Sequence, residues 1–159
     1  MGHKRREDMG NNLKSRGYRP AIFIVIYCID SSSNKPLYLI LKRKKHWKGW
    51  EFTKGGVEKG ETEKQTLLRE VKEECRLKIL KIKKYKIRGR YKYPQLFKKR
   101  PGFIGQTYSL YSVGVREGKV KIDKREHSGF KWLDFTSARK VITYDNQKKC
   151  LGVVNDSLL

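Results

Sequence analysis

The run AIFIVIYCI, residues 21–29, constrains the fold more than any other stretch of the chain. It is apolar, rich in β-branched residues and without alternation, the pattern of a strand covered on both faces rather than one with a wet side. At about half the length of a bilayer-spanning helix, and with no signal-peptide arrangement in front of it, it gives no membrane segment, and a cytoplasmic location is expected. A second apolar strand, LYLILKR over residues 37–43, follows the turn-forming DSSSNKP. Strands covered on both sides require helices on both sides, so the fold class is α/β (α+β), a mixed β-sheet sandwiched between helices.

The rest of the chain supplies those helices and more strands. Residues 84–93, KYKIRGRYKY, alternate strictly, with Lys84, Lys86, Arg88, Arg90 and Lys92 on one face and Tyr85, Ile87, Gly89, Tyr91 and Tyr93 on the other. Residues 106–115 and 130–135 read as further strands. Thr136 caps a closing helical region through Val141 that resumes, after a break near Tyr144, toward Val154. Residues 1–20 are polar and aperiodic and read as a flexible basic arm, leaving residues 21–159 as a single domain. Cys28, Cys75 and Cys150 are odd in number and set in apolar surroundings, so they read as free, buried thiols.

Charge narrows the class of partner. Thirty-nine Lys and Arg against sixteen Asp and Glu give a net charge of +23, a field that attracts nucleotides or RNA, although a Lys-rich surface is also a thermophile habit. Against that background, residues 55–79 hold six of the sixteen acids. Thr62 and Gln65 form a capping box and Glu63 suits the dipole of a first turn, so a helix should run from Glu63 to Cys75. On it Glu70, Glu73 and Glu74 fall within an arc of about 100°, with Leu68, Val71 and Cys75 on the adjoining core face. Left unpaired, such carboxylates repel one another, and a hard cation reverses the sign. Oxygen ligands favour Mg2+ or Mn2+ over Zn2+.

The spacing of Gly55, Glu61, Arg69-Glu70-Val71, Glu73-Glu74 and Leu77 resembles the box of the Nudix hydrolases, G-x5-E-x7-R-E-U-x-E-E-x-G-U, where U is aliphatic. Arg76 stands where that pattern has Gly, at a cost of about 1 kcal/mol if the helix end keeps its left-handed turn. The resemblance implies a nucleoside diphosphate derivative as substrate and Mg2+ or Mn2+ held by Glu70, Glu73, Glu74 and the backbone carbonyl of Lys54. It also implies that Glu61 and Arg69 form an orienting ion pair and that Glu70 has some share in base catalysis. Glu126, in EHSGFKWL, resembles the further carboxylate that completes such sites as ligand or base.

Residues 46–61, HWKGWEFTKGGVEKGE, are similar to the corresponding run of diadenosine tetraphosphate hydrolases, and Trp50, Phe52, Gly55, Gly56 and Gly105-Gln106 are equally similar to RNA 5′-pyrophosphohydrolases. The leading expectation is therefore a hydrolase of dinucleoside polyphosphates, with RNA 5′-pyrophosphohydrolase as the alternative and a non-catalytic RNA-binding module as a further one. Substrate contacts are expected from His46, Lys54, Lys84, Lys86, Arg88 and Tyr93. Strand cations about 6.8 Å apart suit a polyphosphate or a single-stranded backbone, and equally a charged sheet edge that resists aggregation.

Overall fold

A computed structural model describes residues 17–93 and 102–159. The elements are β1 (Gly17–Ile29), β2 (Pro36–Arg43), β3 (Gly49–Glu51), β4 (Thr53–Gly56), α1 (Glu63–Glu74), β5 (Ile79–Lys92), β6 (Phe103–Val115), β7 (His127–Leu133), α2 (Phe135–Val141) and α3 (Asp145–Leu158). The seven strands form one mixed sheet in the order β3-β2-β1-β6-β5, with β4 paired to β1 and β7 to β2. Among the described residues the one parallel pair is β1 with β6, in which Ala21 faces Tyr108 and Tyr27 faces Gly114. The others are antiparallel.

The apolar run of β1 is covered on both faces, as its composition demands. Ile22, Ile24 and Ile26 pack against Leu67, Val71 and Cys75 around α1. Phe23, Val25 and Tyr27 pack on the other side with Ala138, Ile142, Leu151 and Val154 of the α2–α3 region. The three cysteines are free and buried. Among the described residues no helix is long and apolar enough to cross a membrane.

Several boundaries differ from those read off the sequence. Residues 17–20, assigned there to the arm, begin β1, because Tyr18 to Pro20 pair with Gly105 to Thr107 of β6; residues 1–16 lie outside the described residues. Leu68 does not join the core. It is 44% exposed and Leu67 is fully buried, since the i, i+4, i+8 row Leu67, Val71, Cys75 is the one that meets β1. Asp134, not Thr136, caps α2 by accepting from the Ser137 amide at 2.8 Å. The stretch from Gly49 to Gly56, which has no strand signature, forms β3 and β4 because β2 and β1 offer it free edges.

The box helix is closed as its pattern requires despite the substitution. Thr62 and Gln65 make the reciprocal capping box. At the other end Arg76 adopts φ of 56°, and its amide donates to the Val71 carbonyl at 3.0 Å. A residue with a β-carbon thus occupies the left-handed position that Gly takes without strain.

Candidate active site

A cavity of about 510 Å3 opens where β4, the loop after it, the middle of α1 and the start of α3 converge. Its carboxylate wall comes from α1 and from the residue before β7: Glu70, Glu73 and Glu126 line it. Glu70 is 8% exposed and Glu74 2%, whereas the Glu73 side chain is half exposed. The helix therefore turns two of its three clustered acids into the protein and the third toward solvent. Burial, followed by the nearby charges of Glu74 and Glu73, raises the Glu70 carboxyl to about 7 against the pull of Arg69. Burial raises Glu74 as well.

Arg69 ties this helix to the preceding loop. Its Nε and Nη2 donate to both oxygens of Glu61 at 2.8 and 2.9 Å, Nη2 to the Gly56 carbonyl at 3.0 Å, and Nη1 to Glu70 Oε1 at 2.8 Å. One guanidinium fork thus fixes the loop and orients a buried carboxylate. Gly55 makes the close approach possible, because a β-carbon there would overlap the Glu70 side chain. At the helix start, Glu63 accepts from Tyr111 Oη at 2.6 Å, Ser109 Oγ at 3.0 Å and Lys84 Nζ at 2.9 Å, pinning α1 to β5 and β6.

Behind the carboxylates lies a charged cluster that the sequence reading missed. Glu51 on β3 is 1% exposed; its Oε2 is 2.8 Å from His127 Nε2 and 3.4 Å from Arg43 Nη1, and its Oε1 is 3.3 Å from Lys54 Nζ. His127 Nδ1 stands 3.2 Å from Glu74 Oε2, and Arg43 also comes within 3.7 Å of Glu126. Burial opposes charge on Glu51, yet Lys54, His127 and Arg43 together hold its carboxyl below the usual range. Burial also opposes charge on His127, yet the neighbouring carboxylates of Glu51 and Glu74 lift the imidazole to about 9. The signal for these residues lay in register: Leu41 faces Glu51, and Arg43 faces His127. No local pattern in the sequence records that pairing.

The substrate side is aromatic and basic. Lys54 Nζ lies 5.5 Å from the Trp47 ring and 5.9 Å from the Tyr91 ring. Trp47 meets Tyr144 edge-on at 5.0 Å, and Tyr91 meets Tyr93 at 6.4 Å. Tyr93 Oη donates to Gln106 Oε1 at 2.8 Å. Of the residues expected to touch substrate, His46, Lys54 and Tyr93 line the cavity together with Lys92, whereas Lys84, Lys86 and Arg88 are not part of its wall. Those three lie farther back along β5, and Lys84 is engaged with Glu63.

The donor set suits a divalent cation. One ligand atom each from Glu74, Glu126 and His127 lies within 4.8 Å of the others, and buried Glu74 Oε2 has no hydrogen-bond partner. Clustered buried carboxylates beside a basic, aromatic cavity are the chemistry that a cation-assisted hydrolase of phosphate compounds needs. The NUDIX domain family matches residues 17–151, and the chain belongs to that family. It is a Nudix hydrolase acting on phosphorus-containing anhydrides, a class that generally uses divalent metal ions.

Similar proteins include the RNA pyrophosphohydrolase of Nitratiruptor sp., 29% identical over 140 residues covering 83% of this chain and 88% of that protein. That of Campylobacter jejuni subsp. doylei is 28% identical over 139 residues, 84% and 86% of the two chains. Among solved structures, the E. coli dihydroneopterin triphosphate pyrophosphohydrolase superposes with a TM-score of 0.71 at 23% identity, covering 88% of this chain and 98% of that one. A C. elegans Ap4A hydrolase complex gives 0.66 at 24%, covering 88% and 97%. At these identities the structural matches establish the fold.

Proposed function

We propose that the protein removes pyrophosphate from the 5′ end of triphosphorylated RNA, using Mg2+ or Mn2+. The observation that carries this reading is the row of cations leading away from the cavity: Lys92 belongs to its wall, Arg90 and Arg88 alternate back along the regularly paired part of β5, and exposed Lys86 follows in the irregular stretch beyond. A mononucleotide has no use for such a row, whereas a nucleic-acid chain entering by its 5′ end continues past the cavity and meets successive positive charges. The names of the relatives in Nitratiruptor and Campylobacter support the same choice. It reverses the order of the two substrates read from the sequence.

In this reading Glu70, Glu73, Glu74 and Glu126 hold the cation, which supplies phosphate neutralisation and an acidified water when bound. Lys54, held between two rings and anchored by Glu51, faces the phosphate chain as a fixed positive charge. Arg69, itself in the cavity wall, keeps Glu70 in place and ties it to the Gly56 carbonyl, so the loop and the carboxylates move together. Tyr93, oriented by Gln106, and Tyr91 offer faces for the first base.

A second reading, hydrolysis of dinucleoside polyphosphates, is favoured by the two aromatic pairs that flank Lys54: Trp47 with Tyr144, and Tyr91 with Tyr93. They suit a substrate with a base at each end. Incubation with Mg2+ or Mn2+ and either 5′-triphosphate RNA or diadenosine tetraphosphate, followed by product separation, decides the matter. Pyrophosphate release from RNA at the higher kcat/KM supports the first reading. Preferential release of mononucleotide from diadenosine tetraphosphate replaces it with the second.

A further inference from the structure

The buried cluster contains a nitrogen donor poised beside the carboxylates. His127 and Glu74 are each 2% exposed, and two of their polar atoms, His127 Nδ1 and Glu74 Oε2, have no hydrogen-bond partner. These atoms lie only 3.2 Å apart. That spacing suits a hydrogen bond, but the angle does not make one, so the two atoms share a space instead of satisfying one another. The other ring nitrogen is fully engaged, since Nε2 lies 2.8 Å from Glu51 Oε2, itself held by Arg43 and Lys54. With Nε2–H held by the Glu51 carboxylate, Nδ1 is the nitrogen aimed at Glu74, and a cation arriving there takes the place of its proton. Histidines that bind metals are oriented in this way, by a carboxylate on the far nitrogen.

We infer that His127 Nδ1, Glu74 and Glu126 form a mixed nitrogen and oxygen site for a first-row transition cation, preferring Mn2+ to Mg2+. The inference rests on the reading of Glu74 and Glu126 as metal ligands and adds a ligand of a different kind. One ligand atom from each of the three residues lies within 4.8 Å of the others, and His127 Nδ1 and Glu74 Oε2 are 3.2 Å apart, close enough for one cation to be shared after small side-chain shifts. Imidazole binds the later divalent ions better than Mg2+, whose affinity comes from oxygen alone. Glu51 becomes a positioning residue: through His127 it joins the cation to Lys54, the positive charge on the substrate side.

Pulsed electron paramagnetic resonance of Mn2+ bound to the wild-type protein tests this without any substrate. Coupling to a directly bound 14N is expected. It should disappear in His127→Gln, with Mn2+ affinity at least about tenfold lower and Mg2+ affinity little changed. Glu51→Gln should keep the coupling but weaken Mn2+ binding about 10–100-fold, because the far-side acceptor is lost. A Mn2+ signal with oxygen ligands only in the wild type overturns the inference even if RNA is cleaved. A 14N signal sustains it even if 5′-triphosphate RNA proves not to be the substrate. The wild-type spectrum decides on its own if either variant fails to fold.

Discussion

Gly55 has no side chain because Glu70 occupies the place where one would be. The first glycine of the box and its first buried carboxylate are thus one packing unit, though they lie fifteen residues apart in the chain. Gly55→Ala should displace the Glu70 carboxylate by an ångström or so and lower kcat about 100-fold, since small misplacements at reacting centres cost that much. Thermal stability should change little by comparison, as the colliding atoms belong to a side chain. The check is kcat against Tm for the same variant.

Glu74 is buried, and a charge on it needs a cation or a proton, on His127 or on the carboxyl itself, to offset it. Glu74→Gln should cut activity at least about 100-fold by weakening metal binding. In the presence of a chelator the same variant should be as stable as the wild type or more so. Saturating Mn2+ at about 100 times its Kd should stabilise the wild type by about 2.7 kcal/mol and Glu74→Gln much less. Scanning calorimetry with and without Mn2+ reads both effects.

The Arg69–Glu61 pair predicts an acid limb of stability. The hydrogen bonds from Arg69, ahead of the contribution from Thr66, hold the Glu61 carboxyl down at about 2, below its unfolded value of about 4.5. A depressed folded value means that the native state binds fewer protons, so its stabilisation is complete above about pH 4.5 and is lost as pH falls toward 2. Glu61→Gln should therefore show a shallower loss of stability across that window. Urea unfolding at a series of pH values measures the slope.

The cations of β5 make a prediction about salt. Replacing Lys86, Arg88 and Arg90 with Ala should reduce the slope of log binding constant against log salt for single-stranded RNA by about 2, at roughly 0.7 per phosphate contact. Hydrolysis of a dinucleotide substrate should be nearly unaffected, because none of the three lines the cavity. Equal slopes for variant and wild type would assign the row to sheet-edge protection alone.

Arg76 offers a stabilising change. Its left-handed φ of 56° costs about 1 kcal/mol that Gly avoids, so Arg76→Gly should raise Tm by about 2–4 °C. The gain falls short of this to the extent that Gly loosens the unfolded chain.

What could be read from the sequence was what repeats or pairs locally. The two-sided burial of β1 followed from an unbroken apolar run, and the ends of α1 followed from a capping box and a fixed spacing. The phase of that helix was read one residue off, with Leu68 on the core face, because only contact with Ile22 and Ile24 selects Leu67 instead. Lys84 and Arg88 looked equivalent to Lys92 by alternation, yet distance along the strand separates them from the cavity. Glu51 and His127 were invisible for a different reason. Their significance comes from two strands meeting β2 on opposite edges, a long-range register that no window of sequence contains.

The parallel pairing of β1 with β6 also sets an order of events as the chain is made. Residues 21–27 find their partners at 108–114, so the central strand has an open edge until some ninety further residues have been synthesised. The box helix leaves the ribosome before that edge is closed, and its carboxylates wait on a scaffold that does not yet exist. Such long-range pairing is slow. The carboxylate cluster is consequently a late product of folding, and a chain truncated before β6 should gain neither a stable sheet nor that cluster.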